Sequence, residues 1–400
     1  MKHKGVLLAF VVVVLVNVIG LALFFSYYSL SPPSGYITVN PSSSNWPIFQ
    51  HDLEHSGYST SSVPALSNLL WNYTLEDDYS GIGCSPVVAD GRLYFGSNDA
   101  KIYCLNASSG EKLWDYQTMG YGSSSPAVAG GYLYAGVLDY KVICLNALTG
   151  SSVWNFTTTE GIVQSSPAVA DGYVYVLCYD GNLYCIDALM GSLRWNVQTF
   201  GKGLSSPAVV DGFVYVGSGD GNVNCFNATT GEKIWNYLTG ADNISLAHAV
   251  TSSPAVIDGS VYVGSLDGNI YCINALNGEQ IWNYSTGSWV QSSPAVFSGH
   301  VYIGSNDKTL YCLDASSGEK IWSYDASKQD IPNFGVQSSP AVADGYVYFG
   351  SSNYFYCLDA LTGYPVWNYT VEGAIVYNSP AIANGTVYIT SEGGIVYAFG

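Results

Sequence analysis

A Ser-Pro pair recurs at Pro86, Pro126, Pro167, Pro207, Pro254, Pro294, Pro340 and Pro380, at spacings of 40 or 41 residues with two expansions to 46 and 47. A period of this length, repeated eight times, restricts the chain to architectures that stack one supersecondary unit. Residues 252–287, SSPAVIDGSVYVGSLDGNIYCINALNGEQIWNYSTG, show the unit most clearly. Asp258-Gly259, Asp267-Gly268 and Asn277-Gly278 divide it into four runs, and such dipeptides supply the positive φ of tight hairpin turns. Runs such as Val261-Tyr262-Val263 and Ile270-Tyr271-Cys272-Ile273 are apolar without alternation, so both faces of their sheet need cover. Four-stranded meanders set around an axis cover one another. The expected fold is all-β, an eight-bladed β-propeller of four-stranded antiparallel blades.

The ends of the repeat array imply how the ring closes. The eighth unit contains SPAIA, TVYITS and IVYAFG but no Trp-bearing fourth run, whereas Leu69 to Leu75, LLWNYTL, carries Trp71 ahead of the first Ser-Pro. If that N-terminal strand completes the last blade, eight Trp strands (Trp71, Trp114, Trp154, Trp195, Trp235, Trp282, Trp322 and Trp367) match eight Ser-Pro strands. Closure also removes exposed outer edges that invite strand addition.

Gly5 to Phe25 is an apolar run interrupted only by Asn17 and preceded by Lys2 and Lys4, long enough for one transmembrane helix. Residues 1–27 are therefore expected to be an N-terminal anchor or a signal, 28–45 a Ser/Pro-rich linker and 46–400 the propeller. The basic residues precede the apolar run and no Lys or Arg follows until Arg92, which places the propeller on the extracytoplasmic side of a membrane. Thirty acidic against twelve basic residues, a net charge of −18, argue against nucleic acid as a partner.

The end of each unit, as in CLNASSGEKLW at 104–114 and CINALNGEQIW at 272–282, resembles the tryptophan-docking motif of propellers with pyrroloquinoline-quinone-type (PQQ-like) repeats. The resemblance covers about residues 46–400, with WPIFQHDLEHSGYST at 46–60 similar to the lead-in of such propellers. It implies that each of the eight tryptophans docks on the neighbouring blade. The usual Ala of the motif is replaced by Cys104, Cys144, Cys185, Cys225, Cys272, Cys312 and Cys357, with Ala398 in the eighth unit. Equivalent points on neighbouring blades lie about 10 Å apart, beyond the ~7 Å reach of a disulfide, so these cysteines are expected to be small buried hydrophobes. Cys84 and Cys178 stand where other units have Ser, with no pairing cysteine evident.

Family members that are quinoprotein dehydrogenases carry a vicinal disulfide, a catalytic Asp, and Glu and Asn ligands for calcium. The chain has no adjacent cysteines, and no residue that breaks the repeat maps onto those roles. No catalytic residue and no cofactor are expected. Asp180, Asp220 and Asp267 sit in repeated hairpins, where turn chemistry explains them. His51 and His55 have an i, i+4 spacing but no third ligand, which favours hydrogen-bonding roles over a metal. The two expanded connections, 238–252 and 323–338, supply Asp242, His248, Lys328, Asp330 and Phe334 as candidate partner-binding residues. Asn-x-Ser/Thr sequons occur at Asn72, Asn106, Asn155, Asn227, Asn243, Asn283, Asn368 and Asn384. The reading that follows is a membrane-tethered, monomeric propeller that binds envelope proteins or glycans as a scaffold. Its alternatives are a quinoprotein-type oxidoreductase holding PQQ and calcium, and a carbohydrate-binding surface protein using some of the 34 Tyr and 10 Trp as stacking platforms.

Overall fold

Each Ser-Pro pair opens a three-residue strand, and the three runs after it pair in sequence to give a four-stranded antiparallel blade. The computed structural model describes residues 37–63, 67–76, 81–120, 122, 124–159, 163–240, 249–327 and 335–400. Successive innermost strands touch all the way around, Val87–Ala89 meeting both Ala127–Ala129 and Ala381–Ala383, so eight blades close on themselves. The second and third strands are buried almost throughout, as in Ser260–Gly264 and Asn269–Asn274, because neighbouring blades cover both faces. The outer strands alternate between half-buried and exposed residues. No helix among the described residues is long and apolar enough to cross a membrane, and the apolar run at 5–25 lies outside them.

The closing strand is the one the Trp count requires. Leu69–Thr74 pairs antiparallel with Ile395–Phe399, placing Trp71 opposite Ala398. Every blade repeats that register as a row across three strands: Tyr94 opposite Cys104 opposite Trp114 in the first, Tyr388 opposite Ala398 opposite Trp71 in the last. The small middle residue lets two aromatic rings lie side by side and reach the next blade. Trp114 Nε1 and Tyr94 OH both donate to Ala147 O, at 3.2 and 3.1 Å, and six other blade junctions repeat the pair of bonds. At about 1 kcal/mol net for each such bond, these contacts and the apolar area around them tie blade to blade. All nine cysteines are buried and none is in a disulfide. Burial pushes the thiols of Cys104, Cys185 and Cys357 up to about 12, so they remain protonated spacers.

One junction lacks these bonds. The third and outer strands of the last blade come from opposite ends of the sequence, so no turn joins them to present an Ala carbonyl. Trp367 Nε1 and Tyr348 OH are accordingly buried with no acceptor among the described residues. Phe399 packs 5.8 Å from the Trp367 ring in compensation.

The lead-in does more than precede the ring. Residues 37–45, assigned to a linker by composition, are docked with residues 46–63 inside the axis. Val88, Val128, Val209, Val256, Val296 and Val342, the middle residues of six innermost strands, donate their amides to Trp46, Pro47, Leu53, Glu54, Ser56 and Gly57 carbonyls at 2.8–2.9 Å. Val39 N donates to Val169 O in the third blade, and Asn384 N in the eighth donates to Ser43 O. Tyr58–Ser59 even adds a short parallel strand to Ala341–Ala343. An innermost edge has no neighbouring strand, and a buried unpaired amide is costly, so one segment supplies a partner to the innermost strands of seven blades and to the first hairpin of the eighth. To do so it bends sharply: Gln50, His51 and His55 all have positive φ.

His55 lies within this plug, 1% exposed, with Nδ1 donating to Pro254 O at 3.0 Å. Burial holds its imidazole down to about 4, against an ordinary 6.5. Asp52 is half-buried. Burial alone would raise its carboxyl, but the His51 ring and Ser56 outweigh that and leave it below the usual range. The two histidines therefore turn to different partners, and among the described residues no group of three or more metal-ligating side chains exists.

Two outcomes test this account. Ala at Gly150 (φ +71°) would put its Cβ 2.7 Å from the Trp114 ring, whereas Ala at Gly91 (φ +72°) meets open space. G150A should therefore lower unfolding free energy by about 1–3 kcal/mol more than G91A in denaturant titrations. His55 is neutral when folded down to about pH 4, while the unfolded chain takes up its proton below about 6.5. Its contribution is thus intact above pH 6.5 and lost as pH falls towards 4, at up to 1.36 kcal/mol per pH unit and ~3 kcal/mol in all. His55→Gln should flatten that segment of the stability–pH curve.

Candidate functional site

Antiparallel meanders send alternate connections to opposite faces of the ring. One face carries the hairpins between first and second strands, and here the lead-in seats: Gly172 N donates to Ile37 O, Asp90 N to Asn45 Oδ1 and Gly385 N to Ser61 Oγ. The other face carries the connections into each Ser-Pro strand, together with the Asp-Gly hairpins between second and third strands. Asp180, Asp220 and Asp267 sit in these hairpins, each accepting the amide two residues on at 2.8–3.1 Å, so turn chemistry does account for them.

At the axis of this second face the Ser-Pro serines form a cyclic hydrogen-bond chain. Ser85 N donates to Ser125 Oγ, Ser125 N to Ser166 Oγ, and the pattern continues through Ser206, Ser253, Ser293, Ser339 and Ser379 until Ser379 N donates to Ser85 Oγ. All eight bonds measure 2.8–3.2 Å. One residue earlier, a second hydroxyl ties each innermost strand to its neighbour, as Ser165 Oγ accepts Leu177 N and Ser252 Oγ accepts Gly264 N. Cys84 takes that role in the first blade, its sulfur accepting Gly96 N at 3.1 Å, and Asn378 takes it in the last by donating to Thr390 O. The departure from Ser at Cys84 is thus structural.

The serine ring walls a chamber of about 390 Å³. Its upper wall is the residue three before each Pro: Gly83, Gln164, Leu204, Thr251, Gln291, Gln337 and Tyr377. Phe49, from the plug, closes the floor and packs edge-on to His55 with ring centroids 5.7 Å apart. Among the described residues, no side chain in the lining carries a charge. PQQ is a polycarboxylate that family enzymes hold beside a divalent metal. The described lining offers no cation to its carboxylates and no carboxylate to a metal, so these residues do not fit that pair.

The expected partner-binding residues Asp242, His248, Lys328, Asp330 and Phe334 lie outside the described residues, as does Asn243, though the connections that bear them lead into the strands that wall the chamber. Among the other sequons, Asn72, Asn155, Asn283, Asn368 and Asn384 are exposed, while Asn106 and Asn227 are half-buried and use Oδ1 to accept amides of their own turns. The serine ring and the plug were missed in the sequence. A signal for the chamber did exist: the third position before Pro varies among the blades, as Gly, Ser, Gln, Leu, Thr or Tyr, while the serine beside Pro never does.

Solved structures with the same fold include BamB from Moraxella catarrhalis, 17% identical, with a TM-score of 0.72 over 84% of this chain and 99% of that one. A europium-containing methanol dehydrogenase is 14% identical, with a TM-score of 0.74 over 90% and 98%. The quinohemoprotein alcohol dehydrogenase of Comamonas testosteroni is 16% identical, with a TM-score of 0.72 over 89% and 80%. No curated protein matches the chain in sequence. Residues 60–164, 139–256 and 243–399 match one family model in three overlapping segments that span nearly the whole ring. The chain belongs to the PQQ-type repeat family described as outer membrane protein assembly factor BamB.

Proposed function

We propose that this protein is a non-catalytic binding propeller of the cell envelope, tethered outside the cytoplasm, which presents its chamber-bearing face to partners. The observation that carries the reading is the uncharged chamber. In a propeller enzyme of this family the axis is where a charged cofactor and its metal would need ionic partners, and here that place is walled by hydroxyls, amides and apolar side chains. The likeness to BamB, named for an assembly factor, supports a role in holding other envelope proteins.

The rival reading is a quinoprotein oxidoreductase, whose structural relatives match equally well. Equilibrium dialysis of the detergent-solubilised chain against PQQ and calcium separates the two. We expect no stoichiometric retention of either and no dye-linked alcohol oxidation. Retention of one quinone per chain with turnover would sink the binding reading.

A further inference from the structure

We infer that the axial chamber binds an uncharged carbohydrate, taking the end of a glycan chain between the serine ring and the Phe49 floor. The inference rests on the binding reading above and names the partner class of the same site.

The chamber's lining is rich in uncommitted hydrogen-bonding groups. Each ring serine already accepts one backbone amide through Oγ, and its hydroxyl proton has no acceptor among the described residues. Seven of these serines line the chamber. Thr251 Oγ1 lies out of solvent with no partner among the described residues. Gln291 accepts Asn306 Nδ2 at 3.0 Å through Oε1, which holds the amide in place with its Nε2 hydrogens uncommitted. With Gln164 Oε1 and the serines' second lone pairs also open, a ligand here must bring both donors and acceptors, and buried polar groups left unmet cost about 1–3 kcal/mol each.

Charge and shape narrow the class. The lining has no cation among the described residues, and the chain's net charge of −18 repels anions, so carboxylates, phosphates and sulfates are disfavoured. Phe49 below and Tyr377 at the rim, 59% exposed, offer flat apolar faces to the C–H side of a ring. The volume lies in the range of small-molecule sites, ~300–1,000 Å³. Hydroxyl-rich, neutral and flat on one side describes a sugar ring.

Saturation-transfer NMR on the full chain in detergent tests this, using neutral oligosaccharides of glucose, mannose and N-acetylglucosamine, with glucuronate as the charged comparator. Transfer is expected from at least one neutral sugar and not from glucuronate. Leu204→Trp, on the chamber wall at a 38% exposed position, should abolish it with an unchanged thermal midpoint, and Tyr377→Ala should weaken it by about tenfold. Gln164→Trp, at a position with no side-chain hydrogen bond to lose among the described residues, is a second blocking variant should the first unfold. No transfer from any neutral sugar at millimolar concentration, or transfer that survives both blocking variants, overturns the site. Displacement of the sugar question by a short peptide that binds in the chamber and is lost in Leu204→Trp would overturn it too, while leaving the binding reading intact. Stoichiometric quinone and calcium retention would overturn both.

Discussion

An innermost strand in a ring of sheets has nothing on its inner side, and eight such edges converge on one axis. Their amides and carbonyls must find partners or water. In this protein the lead-in answers for the lower part of the axis, pairing with the middle residue of one strand after another, and the serine ring answers for the upper part through side chains. The geometry of the chamber follows from that division. It is the space between the last backbone-to-backbone pairing, near Phe49, and the serine bonds above it.

The outer architecture was legible in the sequence because it depends on short-range signals repeated eight times. Asp-Gly turns, apolar runs and one Trp per unit encode strand count, blade number and the closing strand, and that the Trp71 strand completes the last blade follows from counting alone. The cysteine column was legible only in part. Its lack of disulfides follows from blade spacing, but its cause is the row Tyr94, Cys104, Trp114, which becomes visible only once three strands are in register.

The interior of the axis was not legible. The lead-in's bonds to the blades are between backbone groups, which leave no residue preference behind, and they join positions as distant as Gly57 and Val342. Its boundary moved for the same reason: Ile37 and Val39 sit in a Ser/Pro-rich stretch whose composition matches a linker, yet Val39 is buried between the second and third blades. The serine ring hid in plain view, since an invariant Ser before Pro reads as turn chemistry. Symmetry holds the scaffold rigid at that position, and one residue earlier in each connection than the paired hydroxyls the chain is released to vary, so Gln164, Leu204, Thr251 and Tyr377 can differentiate a site on an otherwise uniform ring.

The strand that closes the ring also sets when it can close. Leu69 and Phe399 pair across 330 positions, so Leu69–Thr74 is synthesised before any blade and its partner after all of them. During translation the seven complete blades can form one by one from local hairpins, while the first-made strand waits without its hydrogen-bond partner. Ring closure is then among the most non-local events in folding, beside the docking of Ser43 on Asn384, and such contacts form slowly; until it happens the nascent protein carries an open sheet edge at each end. A chain of this design has a period of vulnerability that lasts until Ile395–Phe399 has been made and paired.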